Sequence, residues 1–216
     1  MRGRLLKRTF DLLVAVPLLV ASLPVQAVIA TLVRRRLGSP VLFRQERAGR
    51  DGRPFTIVKF RTMLDVNSEL GLVEDRNRIT DFGRILRASS LDELPTLWNV
   101  VRGDMSLVGP RPLLPEYLAV YLPRHIRRHE VCPGITGLAQ VSGRNSIGWA
   151  EKLELDIAYV ESWSFRLDLA ILWRTIRTVA ARSGIDYSYS TTYPPLKPGY
   201  ATALREDVED ETCSKD

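Results

Sequence analysis

Residues 12–33 form a run of 22 positions without a single charged side chain. As an α-helix, such a run would extend roughly 33 Å, about the thickness of the hydrocarbon core of a bilayer. The run therefore predicts a segment that enters a membrane. Any fold proposed for the rest of the chain has to accommodate it.

Basic residues flank both ends of this run, with Arg2, Arg4, Lys7 and Arg8 before it and three arginines at positions 34–36 after it. Cytoplasmic flanks of membrane segments are enriched in Lys and Arg. Both ends of the run are therefore expected on the cytoplasmic side.

Two prolines, Pro17 and Pro24, lie inside the run. Each removes a helix N–H donor and pushes against the preceding turn, so a bend is expected near Ser22 and Pro24. Each resulting arm would be roughly 15 Å long, too short to cross a bilayer. We predict a re-entrant helical hairpin. The alternatives are a straight signal anchor and a cleaved signal peptide, and the long apolar run argues against the latter.

The remaining sequence predicts one small domain. Short apolar runs at 41–43 and 54–58 surround the turn dipeptide Asp51-Gly52 and predict a β-hairpin. The polar stretch 64–77 predicts a loop. Helices are predicted near residues 82–88, 94–101, 115–121, 149–163 and 167–182. The apolar face of the last helix is expected either in the core or on a membrane surface.

The predicted fold class is thus α+β and mainly helical. It comprises a re-entrant membrane hairpin at 1–37, one cytoplasmic domain at 38–183 with a short β-hairpin and membrane-surface helices, and a flexible acidic tail at 184–216. The sequence leaves the oligomeric state open, homo-oligomers included.

The formal net charge of +6 favours anionic partners such as nucleic acid, acidic lipid or a phosphorylated substrate. The cysteines at 132 and 213 form no CxxC pair, which fits a reducing compartment. His125 and His129 are expected on the solvated surface, so a histidine-based metal site or nucleophile relay is not expected.

The adjacent acids Asp92 and Glu93 have two interpretations. Ser90 and Glu93 match a capping box at the start of a helix, where acidic residues are favoured by the helix dipole. Alternatively, Asp92 is a nucleophile toward phosphorus, provided that nearby cations offset the negative charge of the substrate. The residues alone leave both interpretations open.

Several cations could supply that offset. Arg111 stands between Pro110 and Pro112, which restrict its backbone and suit a two-pronged grip on phosphate oxygens. Glycine-bearing turns near 133–137 and 142–145 are further candidates for an approach to a ligand, and turn geometry alone would also explain them. No Gly-Lys-Ser/Thr follows the glycines, which disfavours a P-loop. The candidate phosphate ligands are Lys59, Arg61, Arg87, Arg111 and Arg144.

Over residues 7–180 the chain resembles the bacterial sugar transferase family, the small monotopic phosphoglycosyl transferases. The matching segments are KRTFD at 7–11, FRQERAG at 43–49, KFRTM at 59–63, SLDELP at 90–95, NVVRGDMSLVGPRP at 99–112 and GLAQVSGR at 137–144. In this resemblance Asp92 and Glu93 match the catalytic acid pair. The resemblance also favours the re-entrant hairpin, although the Ser-Pro pair common at the bend is here Ser22-Leu23-Pro24.

The resemblance implies that the enzyme transfers a sugar 1-phosphate from a UDP-sugar to polyprenyl (undecaprenyl) phosphate at the cytoplasmic face of the bacterial inner membrane. Asp92 would attack the sugar-bearing phosphorus, UMP would leave, and the lipid phosphate would discharge the covalent intermediate. Mg2+ is implied as cofactor, with Asp92 or Glu93 as its ligand, and Glu93 could instead activate the acceptor. Asp156 and Asp168 would form ion pairs or support the metal, and a solvated helix face is the alternative for both.

Two other functions stay open. The chain could be a basic peripheral membrane or nucleic-acid-binding protein without catalysis. The basic residues are not accompanied by aromatic residues that could stack on bases or by a known base-reading motif. Nucleic acid is therefore not expected as a partner. Alternatively, the lipid phosphate could attack the donor directly, without a covalent enzyme.

Overall fold

The computed structural model describes residues 2–143 and 147–180. Its α-helices are α1 (Arg2–Arg36), α2 (Asp75–Arg78), α3 (Asp81–Ala88), α4 (Leu97–Arg102), α5 (Pro123–Ile126), α6 (Leu138–Ser142), α7 (Trp149–Ser162) and α8 (Phe165–Ala180). Its strands are β1 (Leu42–Ala48), β2 (Pro54–Phe60), β3 (Ser106–Val108) and β4 (Gly134–Thr136). Short 3-10 helices cover Arg50–Gly52, Leu91–Thr96, Pro115–Ala119 and Arg127–Glu130.

Helix α1 is continuous through both prolines. The two separate arms expected on either side of residues 22–24 do not form separate helices, and the re-entrant hairpin stays a prediction. The Ser22 hydroxyl donates to the Leu19 carbonyl at 2.9 Å, so a serine hydrogen bond to the backbone is kept beside Pro24. Among the described helices, α1 is the one whose length and composition suffice to cross a membrane.

Both ends of α1 are attached to the same domain. Near its start, Lys7 pairs with Asp168 at 2.6 Å, and Arg8 donates to the carbonyls of Val100 at 2.5 Å and Val101 at 2.8 Å. A similar anchor lies one turn later, where Asp11 accepts a hydrogen bond from the backbone N–H of Leu107.

Near its other end, the buried side chains Ile29 and Val33 pack in a cluster with Phe60 and Leu86. Both flanks of the apolar stretch are therefore fixed to one globular body.

The predicted β-hairpin is confirmed. Strands β1 and β2 pair antiparallel, from Leu42 opposite Phe60 to Ala48 opposite Pro54. The connection reverses through Asp51 and Gly52, whose φ angles of 57° and 71° suit the residue types that most readily adopt left-handed conformations. Strands β3 and β4 form a second, parallel pair.

The hydrophobic core lies between the first part of α1, the hairpin and the C-terminal helices. It includes Ala15, Ile57, Val100 and Ile171, all buried. Helix α8 contributes Ile171 to this core while Trp173 and Ile176 remain more than 60 % exposed. The apolar face predicted for this helix therefore lies largely outside the core.

The structure corrects the expectation that both histidines lie on the solvated surface. His125 and His129 are 1 % and 5 % exposed. The His125 ring contacts the Glu154 carboxylate at 3.0 Å, and the His129 ring contacts the Gly49 carbonyl at 2.9 Å. The predicted acidic tail at 184–216 lies outside the described residues.

Candidate active site

The acid pair lies on the short 3-10 helix Leu91–Thr96, between α3 and α4. The residue that precedes this helix, Ser90, has a left-handed backbone, and its side chain makes no capping hydrogen bond. The capping-box interpretation of Ser90 and Glu93 is therefore wrong. Asp92 is only 8 % exposed, so a feature other than helix capping has to account for a buried carboxylate here.

Glu93 is held between two cations that come from different parts of the chain. Its Oε1 accepts from Lys59 Nζ at 2.5 Å and from Arg111 Nη2 at 3.1 Å. Lys59 lies on β2, and Arg111 lies on the segment that leaves β3. Burial alone would raise the pKa of Glu93, but attraction and hydrogen bonds from Lys59 and Arg111 lower it below its usual range.

Asp92 experiences the opposite balance. Burial raises its pKa, repulsion from Glu93 adds to the rise, and attraction from Lys59, Arg87 and Arg111 opposes it, which leaves a pKa of about 6. The surroundings therefore shift the pKa values of these two neighbouring carboxylates in opposite directions. Asp92 is the more basic of the two, and it is still largely ionised at neutral pH.

Arg111 is positioned by a buried ion pair beneath it. Arg128 donates through Nη2 to the Arg111 carbonyl at 2.7 Å, and its Nε and Nη2 contact Asp156 Oδ2 at 3.0 and 2.7 Å. Arg128 and Asp156 are 3 % and 4 % exposed. Asp156 therefore forms an ion pair, which was one of the alternatives expected for it, and it does not lie on a solvated helix face. The role of Arg128 was not inferred from the sequence, because its partners are distant along the chain.

Asp168 also forms an ion pair rather than facing solvent. Its carboxylate accepts from Lys7 at 2.6 Å, from the Tyr159 hydroxyl at 2.7 Å and from the Trp163 indole at 3.1 Å. It is 1 % exposed. These contacts join α1 to α7 and α8.

The remaining candidate phosphate ligands differ in their surroundings. Arg87 donates to the Thr62 hydroxyl at 2.9 Å and is close enough to Asp92 to influence its pKa. Arg61 is buried, donates to the carbonyls of Leu37 and Ser39, and pairs with Asp65. These contacts occupy both terminal nitrogens of Arg61, while its buried Nε has no hydrogen-bond partner among the described residues. Arg144 lies outside the described residues.

A cavity of about 1470 Å³ joins the acid pair to α1. Asp92, Glu93 and Arg111 line it together with Leu18 and Ser22 from the apolar stretch. A phosphorylated molecule with a long apolar chain could therefore contact both the charged residues and the membrane segment.

The acid pair also fits Mg2+, though only together with a substrate. Among the described residues, no group of three or more His, Cys, Asp or Glu side chains could hold a metal ion. Mg2+ is often bound by one or two carboxylates with the remaining positions taken by water and substrate phosphates. Asp92 and Glu93 supply that number of carboxylates, so these residues fit an ion that arrives with a diphosphate.

Comparisons with known proteins agree on one family. A family model described as bacterial sugar transferase matches residues 2–182. The uncharacterized sugar transferase EpsL of Bacillus subtilis (strain 168) is 51 % identical over 189 residues, which are 87 % of this chain and 94 % of EpsL.

Two further relatives carry names that include a lipid carrier or a lipid phosphate. The UDP-galactose-lipid carrier transferase of Erwinia amylovora is 42 % identical over 201 residues. The match covers 84 % of this chain but only 42 % of that longer protein. The UDP-glucose:undecaprenyl-phosphate glucose-1-phosphate transferase of Caulobacter vibrioides (strain ATCC 19089 / CIP 103742 / CB 15) is 41 % identical over 79 % of this chain and 68 % of its own length.

Proposed function

Because the chain belongs to the bacterial sugar transferase family, we propose that it transfers a sugar 1-phosphate from a UDP-sugar to polyprenyl phosphate. The products are UMP and a polyprenyl diphosphate sugar. The observation that carries the proposal is the position of the acid pair, which shares one cavity with Lys59, Arg87 and Arg111 and with the apolar segment of α1.

In the first half-reaction the Asp92 carboxylate attacks the phosphorus that bears the sugar. A bond forms between an Asp92 oxygen and this phosphorus, and the bond from the phosphorus to the oxygen of UMP breaks, so that UMP leaves with the bonding electrons. Lys59, Arg87 and Arg111 offset the negative charge of the donor, which otherwise repels a carboxylate nucleophile. The raised pKa of Asp92 makes it a better nucleophile than an ordinary carboxylate while it stays ionised at neutral pH.

In the second half-reaction an oxygen of polyprenyl phosphate attacks the same phosphorus and releases the Asp92 carboxylate. Glu93 stays ionised between Lys59 and Arg111, and it orients these cations toward the phosphates. A bound Mg2+ would supply further neutralisation of the diphosphate, with Asp92 or Glu93 as its protein ligand.

We place the domain on the cytoplasmic face of the inner membrane, with α1 dipping into one leaflet. Lys7, Arg8 and Asp11 contact the domain on one side of the apolar stretch, and Ile29 and Val33 contact it on the other. A helix that crosses a bilayer separates its ends by roughly 30 Å of hydrocarbon. Attachment of both ends to one body supports the same-side arrangement.

The test uses Asp92→Asn, which keeps the size of the side chain but removes the nucleophile. Wild-type protein incubated with a panel of UDP-sugars and no lipid acceptor should gain the mass of one sugar phosphate on the peptide that contains Asp92. Polyprenyl phosphate should then discharge the adduct. The variant should release no UMP, even in a single turnover.

Glu93→Gln serves as the comparison, since it changes the neighbouring carboxyl in the same isosteric way. It should be slow overall but still accumulate some adduct. Substantial turnover by Asp92→Asn, or product formation by wild type without any adduct after rapid quenching, would instead favour direct attack by the lipid phosphate. Absence of UMP release with every UDP-sugar would refute the transferase proposal.

A further inference from the structure

A further arginine, Arg47 on strand β1, lines the cavity that contains the acid pair. Side chains of a strand alternate between faces, and Phe43, Gln45 and Arg47 all line the large cavity. Arg44, on the other face of the same strand, is exposed to solvent. The strand therefore directs one of its two arginines to the site.

The guanidinium of Arg47 lacks a compensating carboxylate. Among the described residues no Asp or Glu pairs with it, and its neutral partners are Gln45 Oε1 at 2.5 Å and the Pro112 carbonyl at a weak 3.4 Å. Its Nε is buried without a hydrogen-bond partner. Burial, followed by repulsion from Arg111, lowers the pKa of Arg47 to about 10. Arg47 is only partly buried, and a partly buried cation without a carboxylate partner gains stability when an anion completes its surroundings.

The local charge indicates what kind of anion would fit. Arg47, Lys59 and Arg111 line one small cavity of about 30 Å³ together with a single carboxylate, Glu93. Three positive charges and one negative charge leave an excess of two, and a phosphate monoester carries close to two negative charges at neutral pH. The small cavity holds about one water molecule. The phosphate itself has to lie in the adjoining large cavity, which the same four side chains also line together with Asp92 and Arg87. The opposite charges of Asp92 and Arg87 leave the excess of two unchanged.

We propose that Arg47 and Arg111 together bind a phosphate monoester dianion, first that of UMP as it leaves and then that of polyprenyl phosphate as it arrives. This inference rests on the proposed function, because it uses the two half-reactions at Asp92. In each of them the entering and leaving oxygens lie roughly in line across the phosphorus. UMP departs from the position opposite Asp92, and the acceptor oxygen has to attack from that same position. One pair of arginines therefore serves both groups in turn.

The experiment measures binding rather than turnover. UMP is titrated calorimetrically into the purified full-length protein, without UDP-sugar, for wild type, Arg47→Gln and Arg44→Gln. Arg44→Gln is the matched control, with the same substitution on the same strand but on the solvent face. Because charged hydrogen bonds contribute roughly 1.5–3 kcal/mol, Arg47→Gln should weaken UMP binding about tenfold or more, while Arg44→Gln should stay within about twofold.

A short-chain prenyl phosphate then distinguishes one shared site from two sites. It should compete with UMP in wild type, and Arg47→Gln should weaken its binding by a factor similar to that for UMP. Uridine, which lacks the phosphate, should bind wild type and Arg47→Gln alike. Simultaneous binding of UMP and prenyl phosphate, or a loss confined to one of them, would overturn the shared site.

Unchanged UMP affinity in Arg47→Gln, or no detectable UMP binding by wild type, would remove Arg47 from phosphate binding. If thermal unfolding shows that Arg47→Gln does not fold, Arg47→Lys replaces it. Lysine keeps the charge but loses the planar fork, so weaker binding of both ligands is again expected. The transferase proposal fails on a separate result, which is the absence of UMP release from UDP-sugars.

Discussion

The buried ion pair between Arg128 and Asp156 allows the stability of the domain to be separated from its activity. Asp156→Leu would leave the Arg128 guanidinium buried without its counter-ion, since both side chains are under 5 % exposed. Removing one partner of such a pair typically costs about 3–5 kcal/mol. For a domain of this size, 1 kcal/mol corresponds to about 2–4 °C, so the melting temperature should fall by roughly 6–20 °C.

The neighbouring arginine offers a matched control. Arg127 also pairs with carboxylates, Glu130 at 3.0 Å and Glu161 at 2.6 Å, but its side chain is 44 % exposed. Because solvent screens such pairs, Arg127→Gln should shift the melting temperature little. Both variants are measured as detergent-solubilised protein by thermal unfolding with circular dichroism.

The double variant Arg128→Met/Asp156→Leu tests the positioning role. Replacing both charges by apolar side chains of similar volume is often neutral or stabilising, so the melting temperature should recover. UMP release by the double variant should stay below wild type, because Arg128→Met removes the hydrogen bond that Arg128 donates to the Arg111 carbonyl. Recovery of both quantities would show that this hydrogen bond has no part in catalysis. A melting temperature of Asp156→Leu close to wild type would contradict the burial argument itself.

Three further predictions follow from the site and from α1. Arg111→Lys should reduce turnover by about tenfold, because lysine keeps the charge but loses the second donor of the fork. Arg127→Lys, the control, should leave turnover near wild type. Equal rates for the two variants would exclude Arg111 from the site. Since only ionised Asp92 is nucleophilic, the rate of adduct formation should fall as the pH drops below about 6, and a flat rate down to pH 4.5 would contradict the raised pKa. Single cysteines at positions 4 and 36 should both resist an impermeant thiol reagent applied outside intact cells, and labelling of Arg4→Cys would establish a straight anchor.

Local patterns were enough to predict the elements that depend on neighbouring residues. The turn dipeptide Asp51-Gly52 and the flanking apolar runs predicted the β1–β2 hairpin, because a reversal needs residues that tolerate positive φ. The spacing of apolar residues and the length of each segment likewise predicted α7 and α8 to within a few residues of their observed bounds.

The surroundings of individual side chains were harder to predict, because their partners are distant in sequence. His129 is buried by a contact with Gly49, 80 positions away, and no local pattern around the histidine indicates it. Arg61 and Arg47 both line the large cavity, yet Arg61 pairs with Asp65 and donates to the segment that follows α1, whereas no carboxylate among the described residues pairs with Arg47. The capping box failed for a related reason, since the left-handed backbone at Ser90 directs the following turn toward Lys59 and Arg111 rather than into a regular helix start.

The attachment of α1 to the domain has a consequence for biosynthesis. Lys7 is separated from its partner Asp168 by 161 positions, and Arg8 is separated from its carbonyl acceptors by 92 and 93. At synthesis rates of about 5–20 residues per second, roughly 8–32 s pass between translation of Lys7 and translation of Asp168. Throughout that interval the apolar side chains of α1 have no completed domain to pack against, whereas lipid can receive them at once. We therefore expect α1 to be embedded in the bilayer before the last helices exist, so that the nascent domain closes onto a helix already held by the membrane.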